Sequence, residues 1–508
     1  MFDSDELDCQ YGIEAQVMTW GCGRNGRLGT GQMVDTCLPL RCSGLYDYVA
    51  MGVACGRAHT LICDNNGQVL SFGMGLHGRL GRAVSQGGDC VLPTIVPGLT
   101  SVYVTSVAAG ERHSVLLSKD GNLYSFGDGS MGQLGHGAGI HTGLAGLATP
   151  TRIEAFRAFG KNLPPNTGKD RAPLTKQPVV KIAAGAYHSV ALTGDGLVWL
   201  WGRGKDGQLG NSKREDTFEP TPPVAAIFEG QATGLYAKHV TQIAASDWHT
   251  AFVCQDGEVF TCGRGIEGQL GIPGLNYCLF PQRVHILARQ GVKIRHVACG
   301  RQHTLFADSL QQIWACGNAE NGRLGLAAHH DAHTHTPTIL RPSRSGHSII
   351  GGTTYVTWSG EDLGSATGLG GKGRALEAVA PQHVVGLPKC DGEESGMVRS
   401  LVAGPDCSAV LYEDGRVFVW GKNDTGVLGL EECVDRFSPC HLFTVHGLPV
   451  RMLGIGAAHM VALIQTAAHQ NEAADSISPN DCSVAASVPA SPALVVVGLG
   501  GSKDAGVR

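Results

Sequence analysis

Short apolar runs alternate with polar, glycine-rich turns along most of the chain. Ser114–Ser118 (SVLLS) is a continuous apolar run. Asn122–Phe126 (NLYSF), Leu197–Trp201 (LVWLW), Glu258–Cys262 (EVFTC) and Arg416–Trp420 (RVFVW) alternate along their length. Alternation sends successive side chains to opposite faces and predicts half-buried strands. Between the two kinds of run stand Lys119-Asp120-Gly121, Gly194-Asp195-Gly196, Gln255-Asp256-Gly257 and Glu413-Asp414-Gly415. Asp-Gly at such a place predicts a tight hairpin with both residues at positive φ. A further strand is predicted upstream, in SVAAG, KIAAG, QIAAS, HVACG and SLVAG, and a fourth downstream, near TPTRI and FPQRV.

These elements recur in a fixed order. An aromatic residue or Cys followed by Gly occurs at Trp20-Gly21, Phe72-Gly73, Phe126-Gly127, Trp201-Gly202, Cys262-Gly263, Cys316-Gly317 and Trp420-Gly421. Each leads into a glycine turn ending in Leu-Gly. His59, His113, His188, His249 and His303 each stand thirteen residues before the aromatic or Cys; Cys407 takes that slot before Trp420, and His459 closes the series. Four short strands per unit, repeated about seven times, predict an all-β propeller of four-stranded antiparallel blades. One blade cannot bury both its faces, so the blades must stack in a ring. Gln16–Trp20 (QVMTW) lacks a preceding His turn, and the last unit, Gly454 to Gln465, lacks its aromatic strand. The N-terminal strand is therefore expected to complete the last blade and leave no open edge.

The propeller is expected to span residues 16–465, after a short acidic lead over 1–15 and before an Ala/Ser/Pro-rich tail over 466–508 that reads as disordered. Insertions are expected near 136–178, 211–240 and 326–400. In the last of these, Trp358 opens a degraded copy of the glycine turn, so an eroded eighth repeat competes with an insertion in the sixth blade. Seven blades is the favoured count, because Asp331–Ser345 has no good copy of the VAAG strand.

Seventeen cysteines, an odd number without a CxxC pair, read as small core residues in a reducing compartment. A net charge of −5 gives no general drive towards nucleic acid or anionic lipid. No stretch of 18 apolar residues suggests a membrane span, and MFDSDELD lacks a signal-peptide core. No GxSxG or HExxH motif is present.

Four features invite a chemical reading. GxGxxG begins at Gly21, Gly73, Gly127, Gly202 and Gly263. One copy between a strand and a helix would suggest a dinucleotide; five copies, each leading to Leu-Gly with no helix after them, suggest sharp turns against a neighbouring blade. LVVVGLGGSK, Leu494 to Lys503, fails the Walker spacing and has too little chain after it for a phosphate-binding helix. His59, His113, His188, His249, His303 and His459, one per unit, suggest inter-blade hydrogen bonding through both ring nitrogens rather than catalysis. His329, His330, His333 and His335 form the one metal candidate, of a type suited to zinc or nickel, but in a loop that would not preorganise them. No cofactor is expected.

The unit VAAGxxHS…DGxLYSFGxGxxGQLG, over about residues 17–464, resembles the repeat of the regulator of chromosome condensation family. That resemblance implies a seven-bladed β-propeller. It also implies a functionally mixed family. Its founder is a chromatin-bound guanine-nucleotide exchange factor for the GTPase Ran, while other members serve as interaction modules in ubiquitin ligases, ciliary proteins and a plant ultraviolet-B photoreceptor. The founder's basic N-terminal tail is replaced here by MFDSDELD, and LWGRGKDGQLG does not match its wedge-like insertion. The photoreceptor places many tryptophans in its His turns, whereas this chain has Trp248 alone in such a slot.

The expected function is a non-enzymatic, monomeric scaffold that presents one ring face to a protein partner. The alternative is nucleotide exchange on a Ran-type small GTPase. The variable pair inside each GxxH turn is the candidate surface: Arg57, Glu111, Arg112, Tyr187, Asp247, Trp248, Arg301 and Asp406. The cytoplasm is the expected compartment, with the nucleus as alternative; neither nucleic acid nor membrane is an expected partner.

Overall fold

The computed structural model describes residues 14–466 except 46, 84–87, 139–145, 157–176, 229–230, 327–346, 351–352, 357–376, 389–395 and 444–448. The acidic lead up to residue 13, the histidines of the metal candidate, the Trp358 turn and the tail from 467 lie outside the described residues.

Seven four-stranded antiparallel sheets make up the propeller. Blade 1 is composite. Its inner strands are Val450–Ile455 and His459–Thr466, and its outer ones are Glu14–Gly21 and Thr36–Arg41. Glu14–Gly21 pairs along its whole length with His459–Thr466, from Glu14 opposite Thr466 to Gly21 opposite His459. The two ends of the ring are thus joined by a complete ladder, as the unpaired halves at either end of the repeat series predict. Blades 2 to 7 run from Ala50–Cys55, Val104–Ala109, Val179–Ala184, Val240–Ala245, Ile294–Cys299 and Val398–Ala403 outwards to Cys90–Ile95, Leu147–Arg152, Thr217–Thr221, Tyr277–Arg283, Glu377–His383 and Arg436–His441.

Blade 6 settles the count. Its outer strand Glu377–His383 pairs directly with its third strand Ile313–Asn318. The intervening chain is an insertion that adds no blade, and it carries a separate hairpin of His347–Ile350 with Thr353–Val356. A second hairpin, Ala225–Phe228 with Gln231–Gly234, lies between blades 4 and 5.

The thirteen-residue spacing is a register. In the second and third strands His59 faces Gly73, His113 faces Gly127, His188 faces Gly202, His249 faces Gly263 and His303 faces Gly317. The hairpins between them differ from the expected two-residue turn. Gly67, Gly121, Gly196, Gly257 and Gly415 alone take positive φ, while the preceding Asp or Asn does not. The Gly121 amide donates to Ser118 O at 2.9 Å and the Ser118 amide to Asn122 O at 2.9 Å, so three residues form the loop. That is a type I turn followed by a left-handed glycine, which needs one permissive residue rather than two. In blade 6 Gln311 fills this slot at φ 64° and uses its side chain, Oε1 accepting the Val398 amide at 2.7 Å.

The core lies between blades. Leu61, Cys63 and Val69 of blade 2, for example, pack with Val104, Leu116 and Phe126 of blade 3. The closing aromatic or Cys of each unit sits on the Leu-Gly turn of the blade before it. A Cβ on Gly29 would lie 2.8 Å from the Phe72 ring, and one on Gly135 would lie 2.9 Å from Nε1 of Trp201. Where that residue is Trp its indole also bonds across the joint: Trp201 to Gln133 O, Trp420 to Arg323 O and Trp20 to Val427 O, at 2.9, 3.0 and 2.9 Å.

Candidate functional site, a charged ring at one mouth of the propeller

The ends of the inner strands and the turns that follow them ring the mouth of an axial channel, a recess of about 540 Å³ that is partly open to solvent. At one mouth the six inner turns other than that of blade 5 begin with glycine: Gly56, Gly110, Gly185, Gly300, Gly404 and Gly456. A Cβ on Gly56 would lie 2.6 Å from Gly110 O, and one on Gly110 would lie 2.5 Å from Gly185 O. The backbones approach too closely there for a side chain.

Behind each of these turns but that of blade 7, and behind the blade 5 turn as well, stands a fully buried histidine. His59 Nε2 meets Ser114 Oγ of the next blade at 3.0 Å. His113 meets Ser189, His188 Thr250, His249 Thr304, His303 Ser408 and His459 Thr60, at 3.0, 2.9, 2.7, 2.8 and 3.0 Å. Each hydroxyl in turn donates to a backbone carbonyl, Ser114 Oγ to Arg79 O at 2.9 Å for example. The hydroxyl hydrogen is therefore used, and Nε2 must be the donor. The expectation that both ring nitrogens would bridge blades is corrected. Nδ1 of His59, His113, His188, His303 and His459 has no hydrogen-bond partner among the described residues. The facing residue is a glycine and offers no side chain. In blade 5 Ser246 replaces that glycine, and its Oγ stands 2.8 Å from His249 Nδ1. Burial holds these imidazoles neutral, pushing His113 down to about 4 and His188, His249, His303 and His459 to about 3.

The joint from blade 7 to blade 1 departs from this pattern. Cys407 stands where the histidine would be, and Met460 where the Ser or Thr would be. Both are buried in one apolar cluster with Trp20, Val419 and Leu428. Replacing both partners together leaves no orphaned polar group.

On this scaffold the variable turn residues come to one mouth of the channel. Arg57, Glu111, Asp247 and Arg301 line it together with Ala186, Pro405 and Ala457. They are paired with one another. Arg57 Nη1 lies 3.1 Å from Glu111 Oε1, Arg112 Nε lies 3.8 Å from the same oxygen, and Tyr187 hydrogen-bonds Glu111. Burial, with Glu111 beside it, lifts the Tyr187 hydroxyl to about 12. Arg301 Nε meets Asp247 Oδ2 at 2.8 Å. Asp406 pairs at 2.9 Å with Arg323, a buried residue of the blade 6 Leu-Gly turn. Trp248 carries the Arg264 guanidinium 4.6 Å above its ring. The eight candidates therefore share one face, where Glu111 is only 11% exposed while Arg57 and Arg112 are 54% and 40% exposed.

Arg27, Arg79 and Arg323 stand outside the eight candidates. Each is buried, and each reaches the turn of the next blade: Arg27 Nη1 to Arg57 O at 3.0 Å, Arg79 Nη1 to Glu111 O at 3.1 Å, Arg323 to Asp406. The signal lay in the choice of RLG against QLG. The Gln of QLG caps its own turn instead, as Gln133 Oε1 does by accepting the Met131 amide at 2.8 Å.

The glycine turns that mimic a dinucleotide motif are filled by protein. A Cβ on Gly132 would lie 2.4 Å from Thr217 O of the next blade's outer strand, and one on Gly207 would lie 2.7 Å from Cys278 O. Among the described residues no three His, Cys, Asp or Glu side chains gather to hold a metal, and no helix is long and apolar enough to cross a membrane.

The model of the RCC1-like domain matches residues 159–469, and that of the regulator of chromosome condensation repeat matches 14–63, 66–117 and 120–192. The chain belongs to the RCC1 repeat family. It is 32% identical over 294 residues to the human E3 ubiquitin-protein ligase HERC2, covering 58% of this chain and 5% of that protein. It is 30% identical over 397 residues to the Arabidopsis thaliana ultraviolet-B receptor UVR8, covering 76% of this chain and 80% of the receptor. Among solved structures, Prp20p from Saccharomyces cerevisiae, described with its binding to Gsp1p and histones, superposes with a TM-score of 0.64 at 20% identity. That match covers 91% of this chain and 95% of Prp20p. HERC2 thus carries this likeness in a small part of its length, while the receptor carries it over most of its length and Prp20p over nearly all. These relatives agree with the family assignment, and the solved structure agrees with the propeller fold.

Proposed function

We propose that this propeller is a non-enzymatic scaffold that presents its GxxH mouth to a protein partner, in the cytoplasm. The observation that carries the reading is the separation of roles in each turn. Glycine and histidine are spent on holding blades together, while the two residues between them vary and come to one face as Arg, Glu, Asp, Tyr and Trp. Tyr, Trp and Arg are the usual anchors of interfaces. Charge reversal at Glu111 or Asp247 would break the ion pairs that order the mouth. The discriminating variant is instead Arg112→Glu with Trp248→Ala, two residues that do not bridge blades through backbone or histidine. Quantitative capture with the purified chain as bait should recover a partner that the double variant loses while its melting temperature stays unchanged. Equal capture by both proteins would remove this face from the reading.

The second reading is nucleotide exchange on a Ran-type GTPase. It is favoured by the resemblance to the family's founder and by the match over nearly the whole of Prp20p, which binds Gsp1p and histones. Exchange needs no covalent chemistry, only a bound GTPase whose phosphate and magnesium contacts are distorted. Release of fluorescent GDP from a Ran-type GTPase should rise by orders of magnitude with catalytic amounts of this chain if the reading holds. Unchanged release with folded protein would exclude it.

A further inference from the structure

Nearly the whole propeller separates Cys37 from Cys433 in sequence, yet ring closure brings them together. Cys37 lies on the outer strand of blade 1, Thr36–Arg41, and Cys433 in the turn that precedes the outer strand of blade 7. Two sets of contacts fix the meeting. A Cβ on Gly426 of blade 7 would lie 2.6 Å from Cys37 Cα and 2.7 Å from its Cβ, so Cys37 is seated on the blade 7 glycine turn. Asn423, at the start of that turn, donates Nδ2 to Glu432 O at 2.6 Å, and its amide donates to Asp435 Oδ1 at 2.8 Å. The segment carrying Cys433 is thereby folded back over the same turn, and the two thiols interact side by side. Cys433 is exposed and Cys37 partly so, whereas most of the described cysteines are buried in blade cores.

The location is distinctive. This is the blade 7 to blade 1 joint, the one where Cys407 and Met460 replace the histidine bridge. The N-terminal strand also reaches this joint, where the Trp20 indole donates to Val427 O of blade 7 at 2.9 Å.

We infer that Cys37 and Cys433 form an oxidisable dithiol site, which a hydroperoxide converts to a disulfide that staples blade 7 to blade 1. The exposed Cys433 thiolate attacks one peroxide oxygen, giving a sulfenic acid and, from hydrogen peroxide, water. The Cys37 thiolate then displaces the sulfenic oxygen as a second water and forms the S–S bond. Two thiols and one hydrogen peroxide become one disulfide and two waters; the sulfurs lose two electrons and the peroxide oxygens gain them. A thiol reductant reverses the reaction by exchange. Slight desolvation, and then the neighbouring Cys37 thiol, raise the Cys433 thiol above its ordinary value. The thiolate fraction, and with it the rate, should therefore increase as pH rises above neutral.

The test uses the full chain, treated with equimolar hydrogen peroxide, alkylated, digested without reductant and read by mass spectrometry. The expected product is a peptide pair joined through Cys37 and Cys433, two hydrogens lighter than its parts. In Cys37→Ser the same treatment should instead leave Cys433 over-oxidised or blocked by added glutathione. Closing so long a loop constrains the unfolded chain, so oxidation should raise the melting temperature of the wild type by roughly a few degrees. That rise should vanish with reductant and in Cys433→Ser, a substitution at an exposed position that does not threaten folding. Independent alkylation of both thiols after peroxide treatment, or pairing of Cys433 with Cys440 instead, would overturn the inference.

Discussion

Ser114 holds two polar groups at once, accepting from His59 Nε2 and donating to Arg79 O. Ser114→Ala orphans a fully buried imidazole N–H and should cost about 1–3 kcal/mol, measured by denaturant titration. The blade 7 joint offers the converse. Cys407→His alone buries an imidazole against Met460 and should destabilise by a similar amount, whereas adding Met460→Thr should recover most of the loss. Adding Met460→Ala, which makes room for the ring but offers it no acceptor, should recover much less, and equal recovery would mark the effect as steric. Gly127 is a third such residue. At φ 111° its added Cβ would lie 2.4 Å from Arg112 O, so Gly127→Ala should destabilise by about 3 kcal/mol or more on thermal unfolding. The glycines and histidines were legible because each recurs in six of the seven units. The residues between them were legible as a surface but not as a network. That Glu111 would take Arg57, Arg112 and Tyr187 together depends on how far adjacent blades turn about the axis, which no spacing within one unit reports.

Among the elements, the N-terminal strand matters most for integrity. Trp20 is fully buried, bonds across to Val427 O and packs among the blade 7 and blade 1 apolar residues. Trp20→Ala should cost about 3–5 kcal/mol. It should also make residues 14–41 the first to exchange amide hydrogens, because they are held by the closing ladder. Uniform exchange across all seven blades would contradict a locally weakened closure. The hairpins show what local sequence reading missed. Asp-Gly signalled the turn correctly, but a three-residue loop with a single left-handed glycine fits the His–Gly register, which the two-residue reading did not anticipate. The blade 6 insertion was ambiguous in sequence because a degraded glycine turn resembles a repeat. Only the pairing of Glu377–His383 with Ile313–Asn318 makes it an excursion.

For the molecule as a whole, six buried neutral histidines tie stability to pH. Their folded-state pKa values are depressed, His113 to about 4, His188, His249, His303 and His459 to about 3, with His59 also well below its ordinary value. Desolvation is the leading cause in each. The unfolded chain therefore binds more protons between pH ~6.5 and the folded values. Their contribution is fully present above pH ~6.5 and is lost as pH falls towards 4 and 3, at about 1.4 kcal/mol per histidine per pH unit. Melting temperatures should be flat from pH 8 to 7 and fall steeply between about pH 6 and 5. A flat profile down to pH 5 would mean that the imidazoles are protonated in the folded ring.

Sequence alone determined the blade and the way the ring closes, and it favoured seven blades, a count that the blade 6 pairing then settled. A repeated unit that cannot bury its own faces has few stable arrangements, and two half-units at opposite ends have one obvious partner in each other. Tertiary structure decided the rest. It set which turn residues pair across blades, which arginines reach the next turn, that each histidine bridges through one nitrogen, and that Cys37 meets Cys433. All of these join residues from different units. Their meeting depends on the rotation and close approach of neighbouring blades, and the period of a repeat fixes what lies within a unit but not what faces it from the next.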